Sequence, residues 1–185
     1  LWQLLSVGQC VVIDEILING PGSCDGNCSP STEEWIELYN TCNTPADVSC
    51  FVFSDGDFTV TIPSGTIIPA YGYLTIGSDN SGFIPDVNLS NCNCTGGASG
   101  GVGVFTNGSE QGILLSNTGA LVNGLVWGGG QFPVNITSPT SGRCAGVNFN
   151  FTNGNSLEAL PSGGGQGETL ARQCDGSSTW VTLSP

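Results

Sequence analysis

The sequence predicts an all-β sandwich, and three observations support this fold class. The 185-residue chain contains 29 glycines and 10 prolines, and its Val, Ile, Leu, Thr and Phe residues fall in short runs between them. Several runs alternate apolar and polar residues, as expected for a strand with one buried face. Segments such as SDGD, PSGT, TNGS and SNTG separate the runs, and their Gly, Asn and Asp residues favour hairpin turns. No segment has a convincing helical pattern.

Nine segments are predicted as strands. In chain order they are VVIDEILI (11–18), EEWIELYN (33–40), FVFS (51–54), FTVTIP (58–63), YGYLTIG (71–77), VGVFTN (102–107), GILLSN (112–117), LVNGLVW (121–127) and TWVTL (179–183). In the second, Ile36 and Leu38 alternate with residues of the opposite face, so one face can enter the core. The segments 19–33, 79–101 and 128–168, rich in Gly and Asn, are predicted as loops at the ends of the sandwich.

The charge of the chain excludes several classes of partner. The formal net charge is −13, and Arg143 and Arg172 are the only cationic side chains, since the chain has no Lys and no His. No basic surface can form to neutralise phosphates or anionic lipids, so neither nucleic acid nor a charged membrane is an expected partner. No apolar run approaches the roughly 20 residues of a membrane-spanning helix. We therefore expect a soluble protein.

The cysteine content indicates an oxidising compartment and a disulfide framework. The nine cysteines are Cys10, Cys24, Cys28, Cys42, Cys50, Cys92, Cys94, Cys144 and Cys174. Zinc is the alternative, because two cysteine pairs have ligand-like spacing, but these pairs lie among small polar residues in a chain without His. The predicted pairings are Cys24–Cys28, Cys42–Cys50 and Cys144–Cys174, with Cys92 or Cys94 joined to Cys10. The odd number leaves at least one thiol without a partner in its own chain.

Six Asn-x-Ser/Thr sequons lie in turn-like polar surroundings, where a glycan would project into solvent. They are Asn27, Asn88, Asn93, Asn107, Asn135 and Asn150. We expect covalent glycans chiefly on Asn88, Asn93, Asn107 and Asn135. Together with the cysteines, the sequons predict a secreted glycoprotein located outside the cell or at its surface.

Five segments occur in a characteristic order over residues 11–185. They are VVIDEILING, EEWIELYN, the stretch from PADVSC to YGYLTI, GILLSNTGALVNGLVW and GETLARQCDGSSTWVTLSP. In this order they resemble the lamin tail domain family. The resemblance implies an immunoglobulin-like β-sandwich of the extracellular type, a surface or scaffold module often attached to secreted hydrolases. The acidic charge, the nine cysteines and the apolar leader depart from nuclear lamins, so no nuclear or DNA-related role is expected.

Catalysis has few candidate residues in this chain. Without His or Lys, a Ser or Cys nucleophile lacks its usual base, which leaves paired carboxylates. Adjacent strand residues point to opposite faces, whereas Glu15 and Glu37 can converge if their strands pair. The acidic groups are Asp14 with Glu15, Glu33 and Glu34 with Glu37, and Asp55 with Asp57. Solvated charge at strand edges is the simpler interpretation of all three groups, so no enzymatic activity is expected.

Two ligand sites have weaker support. Asp55 and Asp57 are candidates for a structural calcium ion, because a hard cation needs several oxygen ligands, but a hairpin turn explains the same residues. No other metal or cofactor is predicted. Trp35, Tyr71 and Tyr73 are candidates for stacking on a sugar, although aromatic residues on strands more often pack across the sheet.

Residues 1–10 form an apolar extension before the predicted domain of residues 11–185. Its apolar side chains are those of Leu1, Trp2, Leu4, Leu5 and Val7. The extension is interpreted as the end of a signal peptide, as an extra strand in its own sheet, or as a strand donated to a neighbouring subunit. Burial of four of these side chains would contribute about 6–12 kcal/mol, against an association cost of about 4–15 kcal/mol. A donated strand therefore needs additional contacts or an intermolecular disulfide.

The preferred functional hypothesis is a non-enzymatic structural protein outside the cell. In this hypothesis the chain is the subunit of a glycosylated filament or surface fibre, a head-to-tail homopolymer in which the extension of one copy completes the sheet of the next. The alternative is a monomeric cell-surface module that binds a carbohydrate, calcium or a partner hydrolase.

Overall fold

The described part of the chain consists of strands and their connections. The computed structural model describes residues 10–18, 34–55, 59–77, 83–88, 105, 110–129, 134–137, 143–144, 148–151, 157–161 and 167–184. These residues contain no helix. Their strands are β1 (Val11–Leu17), β2 (Trp35–Asn40), β3 (Ala46–Asp47), β4 (Val52–Ser54), β5 (Thr59–Thr61), β6 (Ile67–Ile68), β7 (Tyr73–Gly77), β8 (Val87–Asn88), β9 (Glu110–Leu115), β10 (Leu121–Trp127), β11 (Val134–Thr137), β12 (Asn148–Phe151), β13 (Glu158–Ala159), β14 (Thr169–Arg172) and β15 (Trp180–Leu183).

Two main sheets form the sandwich. The six-stranded sheet has the order β15-β14-β1-β2-β7-β8, and the five-stranded sheet has the order β13-β10-β9-β4-β5. Two further pairs, β11–β12 and β3–β6, stand outside these sheets. The pairs β7–β8 and β10–β13 are parallel, and the others are antiparallel. The predicted all-β sandwich is therefore confirmed.

The hydrophobic core contains the inward side chains of both main sheets. Ile36 and Leu38 of β2 are almost fully buried, as their alternation predicts. Phe53 and Leu114 are core residues on strands of the five-stranded sheet. Trp35, Glu37 and the other odd-numbered residues of β2 consequently lie on the outer face of the six-stranded sheet.

Most predicted strands are confirmed, but the predicted loops 79–101 and 128–168 are not wholly loops. The first contains β8, and the second contains β11, β12 and β13. β8 and β13 are two-residue strands that pair in parallel with β7 and β10, so their conformation depends on a distant partner. The loop predicted at 19–33 and the strand predicted at 102–107, apart from Phe105, lie outside the described residues.

Two predicted turns and one motif residue have clear structural roles. Gly65 and Gly119 have φ values of +91° and +79°, which confirms the turns in PSGT and SNTG. Asn40, the last residue of EEWIELYN, is fully buried. Its Nδ2 donates hydrogen bonds to three backbone carbonyls, while its Oδ1 accepts one from the Cys42 N–H at 3.1 Å. Asn40 thus joins the turn that follows β2 to the backbone at the end of β6.

The disulfide pairings differ from those predicted. Cys10 is bonded to Cys42, with their Cα atoms 5.3 Å apart, and Cys50 is bonded to Cys144. The predicted pairs Cys42–Cys50 and Cys144–Cys174, and the link from Cys10 to Cys92 or Cys94, are wrong. The antiparallel register places Val11 opposite Asn40, so Cys10 and Cys42 meet although 32 residues separate them.

Of the five remaining cysteines, one lies within the described residues and four lie outside them. Cys174 is a free thiol and is exposed. Cys24, Cys28, Cys92 and Cys94 lie outside the described residues, so the predicted pair Cys24–Cys28 stays a prediction.

We expect the double substitution Cys50→Ser and Cys144→Ser to lower the free energy of unfolding by about 2–5 kcal/mol, because it removes the cross-link from the unfolded chain. The disulfide spans 94 residues, which gives it a large effect on chain entropy. Urea unfolding without reductant measures the change. Cys174→Ser is the matched control, with an expected effect within about 0.5 kcal/mol. Equal effects of the double variant and the control would contradict the assigned pairing.

Candidate functional site

Arg172 joins the two sheets at one edge of the sandwich. It is 7% exposed, and its Nε donates a hydrogen bond to the Ile13 carbonyl at 2.9 Å. Its two Nη atoms donate to the carboxylate of Glu158 at 2.9 and 2.8 Å, and Nη1 also donates to the Ser177 carbonyl. The guanidinium lies 4.6 Å from the ring centre of Trp180, whose Nε1 donates to Glu158 as well. All of these groups are satisfied within the domain, so Arg172 has a structural role.

A β-bulge in β1 places Asp14 beside this arginine. The register between β1 and β2 shifts between Ile13 and Glu15, and Asp14 is 5% exposed. Its Oδ1 accepts a hydrogen bond from the Gly176 N–H at 2.7 Å and lies 3.9 Å from the Nε of Arg172. Burial is the main cause that raises the pKa of Asp14 above its ordinary value. The prediction of solvated charge is wrong for this residue, because the bulge turns it into the protein.

An open cleft of about 530 Å³ lies beside Arg172, with Leu121, Val122 and Leu157 among its lining residues. The cleft follows the first half of β10. The pairing between β10 and β13 includes Leu125 and Val126 only, so Leu121–Gly124 has no described strand partner on the side away from β9. The cleft therefore combines apolar and polar side chains, and the β10 backbone beside it has no strand partner among the described residues on the side away from β9.

The outer face of the six-stranded sheet carries carboxylates between two sets of aromatic rings. Glu15 and Glu37 are directly opposite each other, and Thr75 is the next residue in the same row. The predicted convergence of Glu15 and Glu37 is thus confirmed. Asp86 extends the row, since its Oδ2 accepts hydrogen bonds from the N–H and the hydroxyl of Thr75, both at 2.9 Å. We call the row of Glu15, Glu37, Thr75 and Asp86 the acidic row.

Aromatic side chains flank the acidic row on both sides. On one side Trp35 packs edge-to-face on Phe83, with ring centres 5.6 Å apart. On the other side Tyr39 and Tyr73 have their ring centres 4.9 Å apart, and the Tyr73 hydroxyl donates a hydrogen bond to Asp175. This hydrogen bond is the main cause that raises the pKa of Tyr73 above its ordinary value.

Negative charge accumulates around Glu37. Burial raises the pKa of Glu37 to about 7, and repulsion from Glu15, Asp14, Asp175 and Asp86 adds to the rise. The side chain therefore titrates near neutral pH.

A second acidic group is buried where β2, β4 and β9 meet. Glu34, Asp55 and Glu110 are 6%, 2% and 6% exposed. Burial raises the pKa of Glu34 to about 9, the N–H of Phe105 opposes the rise with a 2.5 Å hydrogen bond, and the charges of Asp55 and Glu110 add to it. Glu34 is consequently protonated at neutral pH. The prediction of solvated charge is wrong for Glu34 and Asp55.

The other predicted site residues are only partly brought together. Among the described residues, no group of three or more His, Cys, Asp or Glu side chains is arranged to hold a metal ion, and Asp57 lies outside them. The predicted sugar-stacking residues Trp35 and Tyr73 do share the outer face, and Tyr71 is exposed beside it. None of the described residues forms a helix that could span a membrane.

The sequons are placed differently from the prediction. Asn88 is exposed on the terminal strand β8, and Asn135 and Asn150 are opposite each other on β11 and β12. Their assignment to loops is therefore wrong. Asn27, Asn93 and Asn107 lie outside the described residues, as do the predicted interface residues Leu1, Trp2, Leu4, Leu5 and Val7.

Comparison with known protein families gives a match to the Lamin Tail Domain over residues 6–129. The chain belongs to the lamin tail domain family. The immunoglobulin-like sandwich of lamin tail domains is typical of non-enzymatic modules, and the two disulfides of this one are compatible with an extracellular protein. A comparison with curated proteins found no match.

Several site residues of this lamin tail domain were missed from the sequence. Asp86 and Asp175 reach the outer face from connecting segments, and Phe83 packs on Trp35 from another. Glu110 joins the buried group from the start of β9. No local pattern marks these residues, because each acquires its neighbours through long-range strand pairing.

We expect Glu34→Gln to flatten the dependence of stability on pH. Glu34 keeps its proton up to about pH 9 in the folded state and releases it near pH 4.5 when unfolded, so the native state binds more protons between these values. Its contribution to the free energy of unfolding is complete below pH 4.5 and is lost as the pH rises to 9, on the order of 1 kcal/mol per pH unit. Glutamine mimics the neutral acid and removes this loss.

Urea unfolding at pH 5, 7 and 9 measures the effect. The control is Asp47→Asn, which changes an exposed carboxylate on β3 and keeps an oxygen for the Ser49 N–H. An unchanged slope of stability against pH in Glu34→Gln would contradict the assignment of the buried proton.

Proposed function

We propose that this lamin tail domain is a non-enzymatic structural module outside the cell, the subunit of a filament or surface fibre. Residues 1–9 of one copy add as a strand to the sandwich of the next. The observation that carries the proposal is the cleft beside Arg172, along which Leu121–Gly124 of β10 has no strand partner among the described residues on the side away from β9. An added strand gains backbone hydrogen bonds along Leu121–Gly124 and buries its apolar side chains against Leu121, Val122 and Leu157.

The disulfide at Cys10 supports this proposal. Cys10 follows residues 1–9 directly, and its disulfide joins it to Cys42, the second residue after β2. The N–H and the hydroxyl of Thr41 also donate hydrogen bonds to the Cys10 carbonyl, at 2.7 and 2.9 Å. Tension on residues 1–9 would pass through a covalent bond to β2 instead of peeling β1 from the sheet. The exposed Cys174 thiol offers a further covalent link between copies.

We expect the full chain to form concentration-dependent assemblies that shorten when the synthetic peptide LWQLLSVGQ is added in excess, because the peptide occupies the acceptor cleft. Light scattering and electron microscopy measure the assemblies. A peptide with Leu4→Asp and Leu5→Asp is the matched control and should leave them unchanged. A chain without residues 1–9 should stay monomeric. Strand donation is wrong if this shortened chain assembles as well as the full one, or if the full chain is monomeric at every concentration.

We also propose that glycans cover part of this surface. Asn88 is exposed at the edge of the six-stranded sheet, which is accessible to a transferase. Asn135 and Asn150 are opposite each other, so their Cα atoms are about 5 Å apart and two glycans there would compete for space.

In protein purified from its native source, we expect glycopeptide mapping to find a glycan on Asn88 and on no more than one of Asn135 and Asn150 in any molecule. Intact mass provides the overall test, since the bare polypeptide has a mass of 18.9 kDa. A measured mass equal to that value would exclude glycosylation.

A second candidate function is a binding module at the cell surface. It is favoured by the outer face of the six-stranded sheet, where exposed rings flank the acidic row. Neither the core nor strand donation at β10 uses this face.

A further inference from the structure

The outer face of the six-stranded sheet combines exposed aromatic rings with the carboxylates of the acidic row. Tyr73 and Phe83 are 44% and 37% exposed, although a large ring at the surface gains nothing from contact with water. Between these rings lie Glu15 and Glu37 on neighbouring strands. Like charges directly opposite each other on a sheet are destabilising. The face therefore lacks, among the described residues, a cationic group that would neutralise the carboxylates and cover the rings.

The domain itself supplies no such group among its described residues. The chain has two cationic side chains in all. The guanidinium of Arg172 is buried against Glu158 and the Ile13 carbonyl. Arg143 precedes Cys144, whose disulfide to Cys50 holds it next to β4 of the five-stranded sheet. Neither arginine is a partner of the acidic row.

We propose that this face binds an extended, arginine-bearing segment of another polypeptide. A guanidinium stacks on an aromatic ring and forms paired hydrogen bonds to a carboxylate, so one side chain can satisfy both kinds of group. The proposal is independent of strand donation by residues 1–9, because the cleft at β10 and the outer face are different surfaces.

The spacing of the face fits an extended segment. Trp35, Glu37 and Tyr39 follow one another at every second residue of β2, so successive side chains are about 6.8 Å apart. Alternate side chains of an extended peptide have the same spacing. A segment lying along β2 can therefore direct arginines in turn to the Trp35 ring, to the acidic row, and to Tyr73 with Asp175.

Charge complementarity favours this occupant over two others. A second copy of the chain offers Arg143 as its one solvent-facing arginine, which cannot meet three positions and brings a further net charge of −13. An uncharged sugar could cover the rings but would leave the repulsion between Glu15 and Glu37 in place.

The probe is a synthetic peptide, acetyl-Gly-Arg-Gly-Arg-Gly-Arg-Gly-amide, titrated calorimetrically into the full chain at low salt. We expect binding that weakens steeply with added salt. The same peptide with citrulline in place of arginine keeps the shape and loses the charge, and it should not bind. Glu37→Gln should weaken the arginine peptide about fivefold, whereas the matched control Asp47→Asn on β3 should not change its affinity.

Two variants of Tyr73 test the contact between the peptide and the aromatic rings. Tyr73→Leu keeps an apolar side chain and should weaken the peptide about threefold to fivefold, within the range of an exposed cation–π contact. Tyr73→Phe keeps the ring and should bind nearly as the unchanged protein does. Urea unfolding of each variant establishes that it is folded.

The pH dependence is a further readout. With Glu15, Asp14, Asp86 and Asp175 facing it, Glu37 gains its negative charge as the pH rises through about 7. The peptide should bind more tightly at pH 8 than at pH 6, and this difference should be smaller in Glu37→Gln.

Three results would overturn the proposal. One is that the arginine and citrulline peptides bind with equal affinity, or that neither binds. Another is binding of a neutral hexasaccharide that Tyr73→Leu abolishes, without binding of the arginine peptide, which would identify a sugar as the occupant. The third is self-association of the full chain that both Arg143→Ala and Glu37→Gln abolish, which would identify a second copy. If Glu37→Gln still forms the proposed filaments, this surface and the strand-donation cleft act independently.

Discussion

The buried guanidinium of Arg172 is the contact on which the closure of the sandwich depends. It links β1 and β14 of the six-stranded sheet to Glu158 of β13, a two-residue strand of the five-stranded sheet. Burying an ion costs several kcal/mol unless hydrogen bonds replace its hydration, and here carboxylate and carbonyl oxygens do so. Asp14 in the β-bulge lies 3.9 Å from the Nε of this arginine and accepts a hydrogen bond from the Gly176 N–H.

Because Arg172 is buried, its positive charge does not offset the carboxylates at the surface. With Arg143 as the other cationic side chain of the whole chain, carboxylates must face one another wherever strands bring them together. Burial is the main cause of the raised pKa of Glu37 on the outer face and of Glu34 in the interior, and the neighbouring carboxylates add to both rises. An acidic surface of this kind disfavours contact between copies through charge, so the proposed strand donation would depend on backbone hydrogen bonds and apolar burial.

The two described disulfides stabilise the domain by a means that does not depend on charge. With two cationic side chains in the whole chain, this lamin tail domain gains little from surface ion pairs. Cys10–Cys42 fixes the entry of the chain into β1, and Cys50–Cys144 closes a separation of 94 residues. Both bonds limit the unfolded chain, so they stabilise the domain without requiring any additional charge.

The sequence by itself determined the strands with a two-residue period and the family. It also predicted that Glu15 and Glu37 would converge, because side chains of one parity share a face whenever their strands pair. Tertiary structure alone decided the disulfide partners, the burial of Glu34 and Asp55, and the arrival of Asp86 and Asp175 at the outer face. The physical reason is that local pattern sets the direction of a side chain, whereas long-range register selects its neighbours.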